Sequence, residues 1–178
     1  GEACLVEEVV RIYGYDKIPP IPVSADSGLP QNVLLAEQKR HSQARRVLAK
    51  RGMVEAVTYS FLSNSDSDLF GGTPDTLKLV NPISADLGVM RPSLLPNLLN
   101  AANRNAARGI NSIAMFEVGP QFNGDLPEDQ IIIAAGIRTN QIGSKHWSQG
   151  PRAVDVYDVK ADALAVLQDL GVPVERLQ

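Results

Sequence analysis

The 178-residue sequence predicts an α+β fold, an antiparallel sheet flanked by helices. Three observations carry this. Two apolar, strand-like stretches at 110–119 and 129–138 are joined by QFNGDLPE, whose Asn123-Gly124 pair favours a tight turn, so they should pair as an antiparallel hairpin. Three other stretches repeat apolar residues at helical spacing. The strands and helices do not alternate as a parallel nucleotide-binding sheet requires.

From the start, Leu5, Val6, Val9, Val10 and Tyr13 recur at helical spacing with Glu7, Glu8 and Arg11 between them, which predicts a helix over 3–13 with one buried face. Gly14 ends it, and Pro19, Pro20 and Pro22 make residues 14–30 an extended connector. A long helix is expected from about 31 to 51, with Pro30 before it and Gly52 after it. VEAVTYSF, 54–61, alternates and reads as a half-buried strand, with Val57, Tyr59 and Phe61 on one side and Ala56, Thr58 and Ser60 on the other. TLKLVNP, 76–82, is expected as a second strand ended by Pro82. Over 93–108 a helix should bury Leu95, Leu98, Leu99, Ala102 and Ala106, with Gly109 beyond its end. After the hairpin and a loop holding His146 and Trp147, the last helix should turn Leu164, Leu167 and Leu170 inward.

Composition narrows function. Apolar residues at 44% and charged residues at 21% are ordinary for a globular chain. No apolar run approaches the roughly 20 residues that span a bilayer. Cys4, the single cysteine, has no internal disulfide partner and no zinc spacing, so a reducing compartment, the cytoplasm, is the expectation. A net charge of −3 argues against a surface built wholly to grip nucleic acid. Lys39, Arg40, Arg45, Arg46, Lys50 and Arg51 could contact phosphate, but cations equally suit a helix C-terminus and a solvated face.

Little in the sequence carries chemistry. Gly71-Gly72 lacks the lysine pattern of a phosphate loop, and Ser60 lacks a nucleophile-elbow context. His41 lies on the basic helix and His146 in a loop, without triad partners. Glu7 and Glu8 are hard oxygen donors that could share Mg²⁺ with water or another chain, but two are too few to hold it alone. A solvated helix face is the simpler reading. Arg91 and Glu117 could form a buried pair, or Arg91 could face a partner.

The phrases LVEEVVRIYGYDKIP, EAVTYSF, LVNPIS, VMRPSLLPNLL, NRNAARG and MFEVGPQF occur in this order between about residues 4 and 171. As an ordered series they resemble the β-subunit family of bacterial phenylalanyl-tRNA synthetase. The resemblance implies an (αβ)₂ heterotetramer whose α subunit binds ATP, activates phenylalanine and charges tRNA(Phe), while the β subunit supports it. It implies that residues 1–20 are the tail of a small helical domain, 21–31 a linker, and 32–178 part of a catalytic-like class II synthetase module, incomplete at its C-terminus and without catalytic residues. The helix at 31–51 becomes a candidate contact with other subunits. Glu7 and Glu8 fall on two glutamates of a family pattern credited with Mg²⁺ shared with α, while Cys4 stands at its aspartate. FEVGPQF, 116–122, has no arginine or lysine where the active subunit has an arginine, and Arg108 and Arg138 are the nearest basic residues. Inactivity of the chain alone is therefore expected. The competing reading is a stand-alone RNA-binding or protein-interaction module that uses the basic helix.

Overall fold

The computed structural model of the chain describes residues 1–21, 33–143, 147–148 and 150–177. His146 and residues 22–32, which hold Pro22, Pro30 and nearly all of the expected linker, lie outside the described residues. The chain divides into two compact units, Gly1–Val33 and Leu34–Gln178.

In the first unit, helix α1 (Glu2–Tyr13) stops at Gly14, whose φ of 109° is open to glycine and whose N–H donates to Val10 O at 2.8 Å. The apolar stripe was legible, but its burial is corrected. Leu5, Val6 and Val9 are 60 to 70% exposed, because among the described residues no other element of this unit covers them.

The second unit opens with α2 (Ala36–Lys50), whose first turn is closed by the Leu35 N–H donating to Gln38 Oε1 at 2.9 Å. The described helix thus begins at Ala36, five residues after the expected start. Ala44 and Leu48 are its buried residues.

Only Val54–Glu55 of the expected strand 54–61 joins the main sheet, as β1, and Phe61–Leu62 forms β2 of a separate ribbon with β3 (Val89–Met90). β1 runs parallel to β4 (Ala114–Phe122), with Val54 opposite Met115 and Glu55 opposite Phe116. Ala56 N–H donates to Phe116 O, but Val118 O, further along that edge, accepts from Arg45 Nη2 at 2.7 Å instead. A guanidinium thus stands where the strand would have continued. The expected faces are also reversed, since Val57 and Tyr59 are exposed while Thr58 is half buried.

The strand expected over 76–82 does not form. Asp75–Leu77 is a 3₁₀ turn tied by Lys78 to Asp75 at 2.6 Å, Lys78 makes one isolated bridge to Val89, and Val80 is fully exposed. Only Leu77 of this stretch is buried, so one apolar anchor, not an alternating face, fixes it.

Between β2 and β3 lies the short helix α3 (Asn64–Asp68), capped by Ser63 Oγ accepting from the Asp66 N–H. α4 (Leu95–Ala106) buries Pro96, Leu98, Ala101 and Ala102, continuing from the buried Leu94. Leu95 is half buried, Leu99 is 46% exposed and Ala106 is exposed, which moves the buried stripe about one residue from the expected one.

The hairpin forms, but its strands are joined by the longer connection 123–129, which ends in a 3₁₀ turn at Pro127–Asp129, and not by a tight Asn123-Gly124 turn. β4 pairs antiparallel with β5 (Gln130–Arg138) from Ala114–Arg138 to Phe122–Gln130, the first strand starting four residues later than predicted. The sheet order is β1-β4-β5, so it is mixed: antiparallel at β5 but parallel at β1. On one face, Phe116 and Val118 pack with Ala44, Leu48 and Met53, and Ile132 and Val166 close this core. By the two-residue period of a strand, Glu117 points to the other face.

A small ribbon of β6 (Gln141–Ile142) and β7 (Arg152–Ala153) precedes α5 (Val156–Asp169). α5 begins on an Asp155 cap, Oδ1 accepting from the Tyr157 and Asp158 N–H groups. Leu164, Leu167 and Leu170 are half buried, as their spacing predicts, yet the buried residue of this helix is Asp162.

Candidate functional site

Arg91 and Glu117 form a buried ion pair at 2.9 Å, with side chains 1% and 4% exposed. Of the two possibilities the sequence left open, the inward one holds. Arg91 follows β3 directly, and its main chain is pinned by its N–H donating to Ser60 O and its carbonyl accepting from Phe122 N–H. The guanidinium also donates from Nε to Pro120 O at 2.7 Å and from Nη1 to Thr58 Oγ1 at 2.8 Å. Thr58 in turn donates to Glu117 Oε2 at 2.7 Å, so one hydroxyl bridges both charges. Every charged atom of the pair faces a partner, as burial demands. Chemically this is a closed network. Its cation is consumed by a carboxylate, a hydroxyl and carbonyls and is not offered to a phosphate.

Gly119 belongs to the same arrangement. A Cβ there would stand 2.8 Å from Arg91 Nη2 and 3.0 Å from Glu117 Oε1, so the pair fills the space a side chain would need.

A second charge cluster, buried at Arg138 and Asp162, joins three elements. Asp162 accepts from Arg138 Nε and from Arg51 Nε, each at 2.5 Å, and Arg138 Nη2 also donates to Arg51 O at 3.0 Å. Burial pushes the Asp162 carboxyl upward, but the bonds from Arg138 and Arg51 outweigh it and hold it below the usual carboxylate range. The same bond raises the Arg138 pKa against the cost of its burial. Sequence reasoning missed Asp162. Its signal was an acid three residues after Val159 and four before Val166, inside an apolar stripe.

The basic residues of α2 are partly absorbed by these contacts. Arg45 pairs with Glu55 at 2.7 Å, Arg51 is taken by Asp162, and Arg46 Nη2 donates to Ser42 Oγ. His41 sits 3.7 Å from Glu37, one turn away on the same helix.

Glu7 and Glu8 are both exposed on α1, and Glu8 Oε2 is held by Arg11 at 2.7 Å. Mg²⁺ asks for near-octahedral oxygen coordination, and adjacent helix residues diverge by about 100°. Among the described residues no group of three or more His, Cys, Asp or Glu is placed to hold a metal. Glu7 and Glu8 therefore do not make a complete Mg²⁺ site by themselves.

A cleft of about 730 Å³ lies between the segment at 57–59, α3 and α4. Thr58, Asp66, Asp86, Asn97, Asn100 and Arg104 supply its polar lining. Asn97 Nδ2 donates to Tyr59 O and Phe61 O, and Asn100 Nδ2 to Asp66 Oδ2, which fastens α4 to the opposite wall.

The architecture is similar to that of a pyrrolysyl-tRNA synthetase from Desulfitobacterium hafniense, with a TM-score of 0.54 over 77% of this chain and 47% of that one, at 17% identity. At that identity the likeness shows the fold alone, an aminoacyl-tRNA synthetase-like α+β fold. The sequence goes further. A model of the phenylalanyl tRNA synthetase beta chain CLM domain matches residues 21–178. The chain is 50% identical over 178 residues to the phenylalanine–tRNA ligase beta subunit of Rhodospirillum rubrum and 52% identical over 182 aligned positions to that of Bartonella henselae. Both alignments cover all of this chain, which spans 22% and 23% of those two relatives. The chain belongs to the phenylalanine–tRNA ligase β-subunit family.

Proposed function

We propose that the chain is the catalytic-like module of a phenylalanine–tRNA ligase β subunit, which supports ATP-dependent attachment of phenylalanine to tRNA(Phe) by an α subunit and performs none of the chemistry itself. Residues 1–20 are the tail of a preceding small helical domain, 21–31 a linker and 32–178 the module. The assembly is an (αβ)₂ heterotetramer in the cytoplasm, in which Glu7 and Glu8 give oxygen ligands to Mg²⁺ completed by α.

The closed Arg91–Glu117 network carries this reading. Activating an amino acid with ATP requires fixed positive charge where negative charge develops on the α-phosphate. The arginines about the sheet have other work: Arg91 is matched by Glu117, Arg138 and Arg51 by Asp162, and Arg45 by Glu55. β4 itself contributes a glutamate and no cation. The stand-alone RNA-binding alternative is weakened by the same pairs, which remove Arg45 and Arg51 from the basic helix.

Phenylalanine-dependent ATP–pyrophosphate exchange tests the proposal. The complete β subunit, purified free of α, should give background exchange, and adding α should restore it. Exchange by β alone that is lost in Arg138→Ala would overturn it.

A further inference from the structure

We propose that Asn123 is a site of spontaneous chemical modification: its side-chain amide is lost through attack by the Gly124 main-chain nitrogen, which leaves aspartate or isoaspartate in the connection between β4 and β5. The inference concerns the chain's own chemistry and does not rest on the assembly proposed above.

Of the ten asparagines in the sequence, Asn123 alone is followed by glycine. A tight hairpin turn would account for such a pair, but neither residue has a positive φ, and the strands are joined across the whole of 123–129. The glycine answers to space instead. A Cβ at 124 would collide with Asp129 Oδ2, so the carboxylate lies against a backbone that has to stay bare.

Three features open the reaction. Asn123 is exposed and stands one residue past the end of β4, and its side chain makes no hydrogen bond among the described residues. Gly124 has no Cβ to shield its nitrogen, and its backbone is free to take the angles that ring closure needs. Its N–H has no acceptor among the described residues, so the nucleophile is not tied to a carbonyl. The other asparagines lack this combination. Asn97, Asn100, Asn103 and Asn105 lie within α4, whose main chain is fixed by helical hydrogen bonds, and Asn111 is exposed but precedes Ser112.

The step balances with water as its one co-reactant. The Gly124 nitrogen bonds to Asn123 Cγ, the Cγ–Nδ2 bond breaks, and the proton given up by Gly124 leaves on the departing ammonia. A succinimide ring remains. Water opens it at Cγ to give aspartate, or at the main-chain carbonyl to give isoaspartate, whose backbone runs through Cβ and Cγ. Either product adds a negative charge to a connection that already holds Asp125, Glu128 and Asp129.

The test ages the complete β subunit in its folded state and follows the peptide spanning position 123 by mass spectrometry, with isoaspartate identified by an isoaspartyl methyltransferase. Amide loss at Asn123 should run within about tenfold of its rate in the free peptide QFNGDLPE, since an exposed connection needs little local opening. It should quicken as pH rises from mildly acidic to mildly alkaline, because the Gly124 nitrogen must give up its proton, while Asn111 keeps its amide. In Asn123→Gln, whose longer side chain would have to close a larger and less favourable ring, the same peptide should stay unmodified. An Asn123 amide that outlasts that of Asn111, or that is lost only in urea sufficient to unfold the chain, overturns the proposal.

Discussion

Arg138, the last residue of β5, and Asp162, in the middle of α5, form an ion pair of 2.5 Å in which each side chain is 8% exposed. With Arg51, just past α2, on the same carboxylate, one acid ties two helices to the sheet. Removing the acid leaves the buried Arg138 guanidinium without its partner, while Arg51, 34% exposed, still reaches solvent. Asp162→Asn should cost about 3 kcal/mol or more, as breaking a buried pair does, read as a lower urea midpoint.

The same residue sets a pH dependence. Its folded pKa lies below the unfolded value, so its stabilisation is fully present above about pH 4 and is lost as pH falls through the folded pKa. Asp158 acts in the same window. Its bonds from Arg152 and from the Asp155 N–H hold its pKa at about 2. The urea midpoint should be insensitive to these two groups between pH 5 and 7, decline below about pH 4, and decline less in Asp162→Asn. A decline of equal size in that variant would show that other carboxylates govern acid unfolding.

Arg91 and Glu117 should behave as a unit. Glu117→Gln alone leaves a buried, uncompensated guanidinium, and Arg91→Met alone leaves a buried carboxylate. Each single change should cost about 3–5 kcal/mol, and the double variant should cost much less than their sum. Additive losses in a double-mutant cycle would show that the two residues act separately.

The outer and inner positions of α4 give a sharper contrast. Leu98 is fully buried, so Leu98→Ala should cost about 2–5 kcal/mol, while Leu99→Ala should stay within about 0.5 kcal/mol because Leu99 is 46% exposed. Equal losses at the two positions, measured by urea unfolding, would place both on the packed face.

What could be read in advance followed the strength of the local signal. The hairpin was legible because both strands are long and apolar and flank a short polar stretch, though the connection is not the tight Asn-Gly turn expected. The buried Arg91–Glu117 pair was narrowed to two possibilities but not decided, since a strand glutamate and an arginine before a helix say nothing of their mutual distance. In α4, runs of leucine and alanine fit two adjacent stripes equally well, and packing chose the one through Leu94, Leu98 and Ala102. At 54–61 the alternation was real, but the side turned inward was the polar one because Thr58 is needed between two buried charges. Hydrophobicity could not reveal that. Asp162 was missed for a related reason, its two arginines lying 111 and 24 residues away.

Gly119 tests whether the buried pair shapes the strand that holds it. Its backbone does not require a glycine for conformational reasons, since it sits within β4, opposite Ile133, and is not among the positive-φ glycines. The requirement is spatial. An added methyl would meet Arg91 Nη2 at 2.8 Å and Glu117 Oε1 at 3.0 Å, both below ordinary van der Waals distance. Neither atom can retreat freely. Arg91 is held by Pro120 O, Thr58 and Glu117, and Glu117 by Arg91 and Thr58, so moving either breaks charged hydrogen bonds between side chains only 1% and 4% exposed. Gly119→Ala should therefore cost about 1–3 kcal/mol, the usual range for overpacking. The contrast is Gly136, where the nearest atom to an added methyl is Met53 Cε, the free end of a flexible side chain, at 2.9 Å. Gly136→Ala should be tolerated better. Urea midpoints of the two variants decide the matter, and a Gly119→Ala chain as stable as wild type would mean that the Arg91–Glu117 pair can shift without loss.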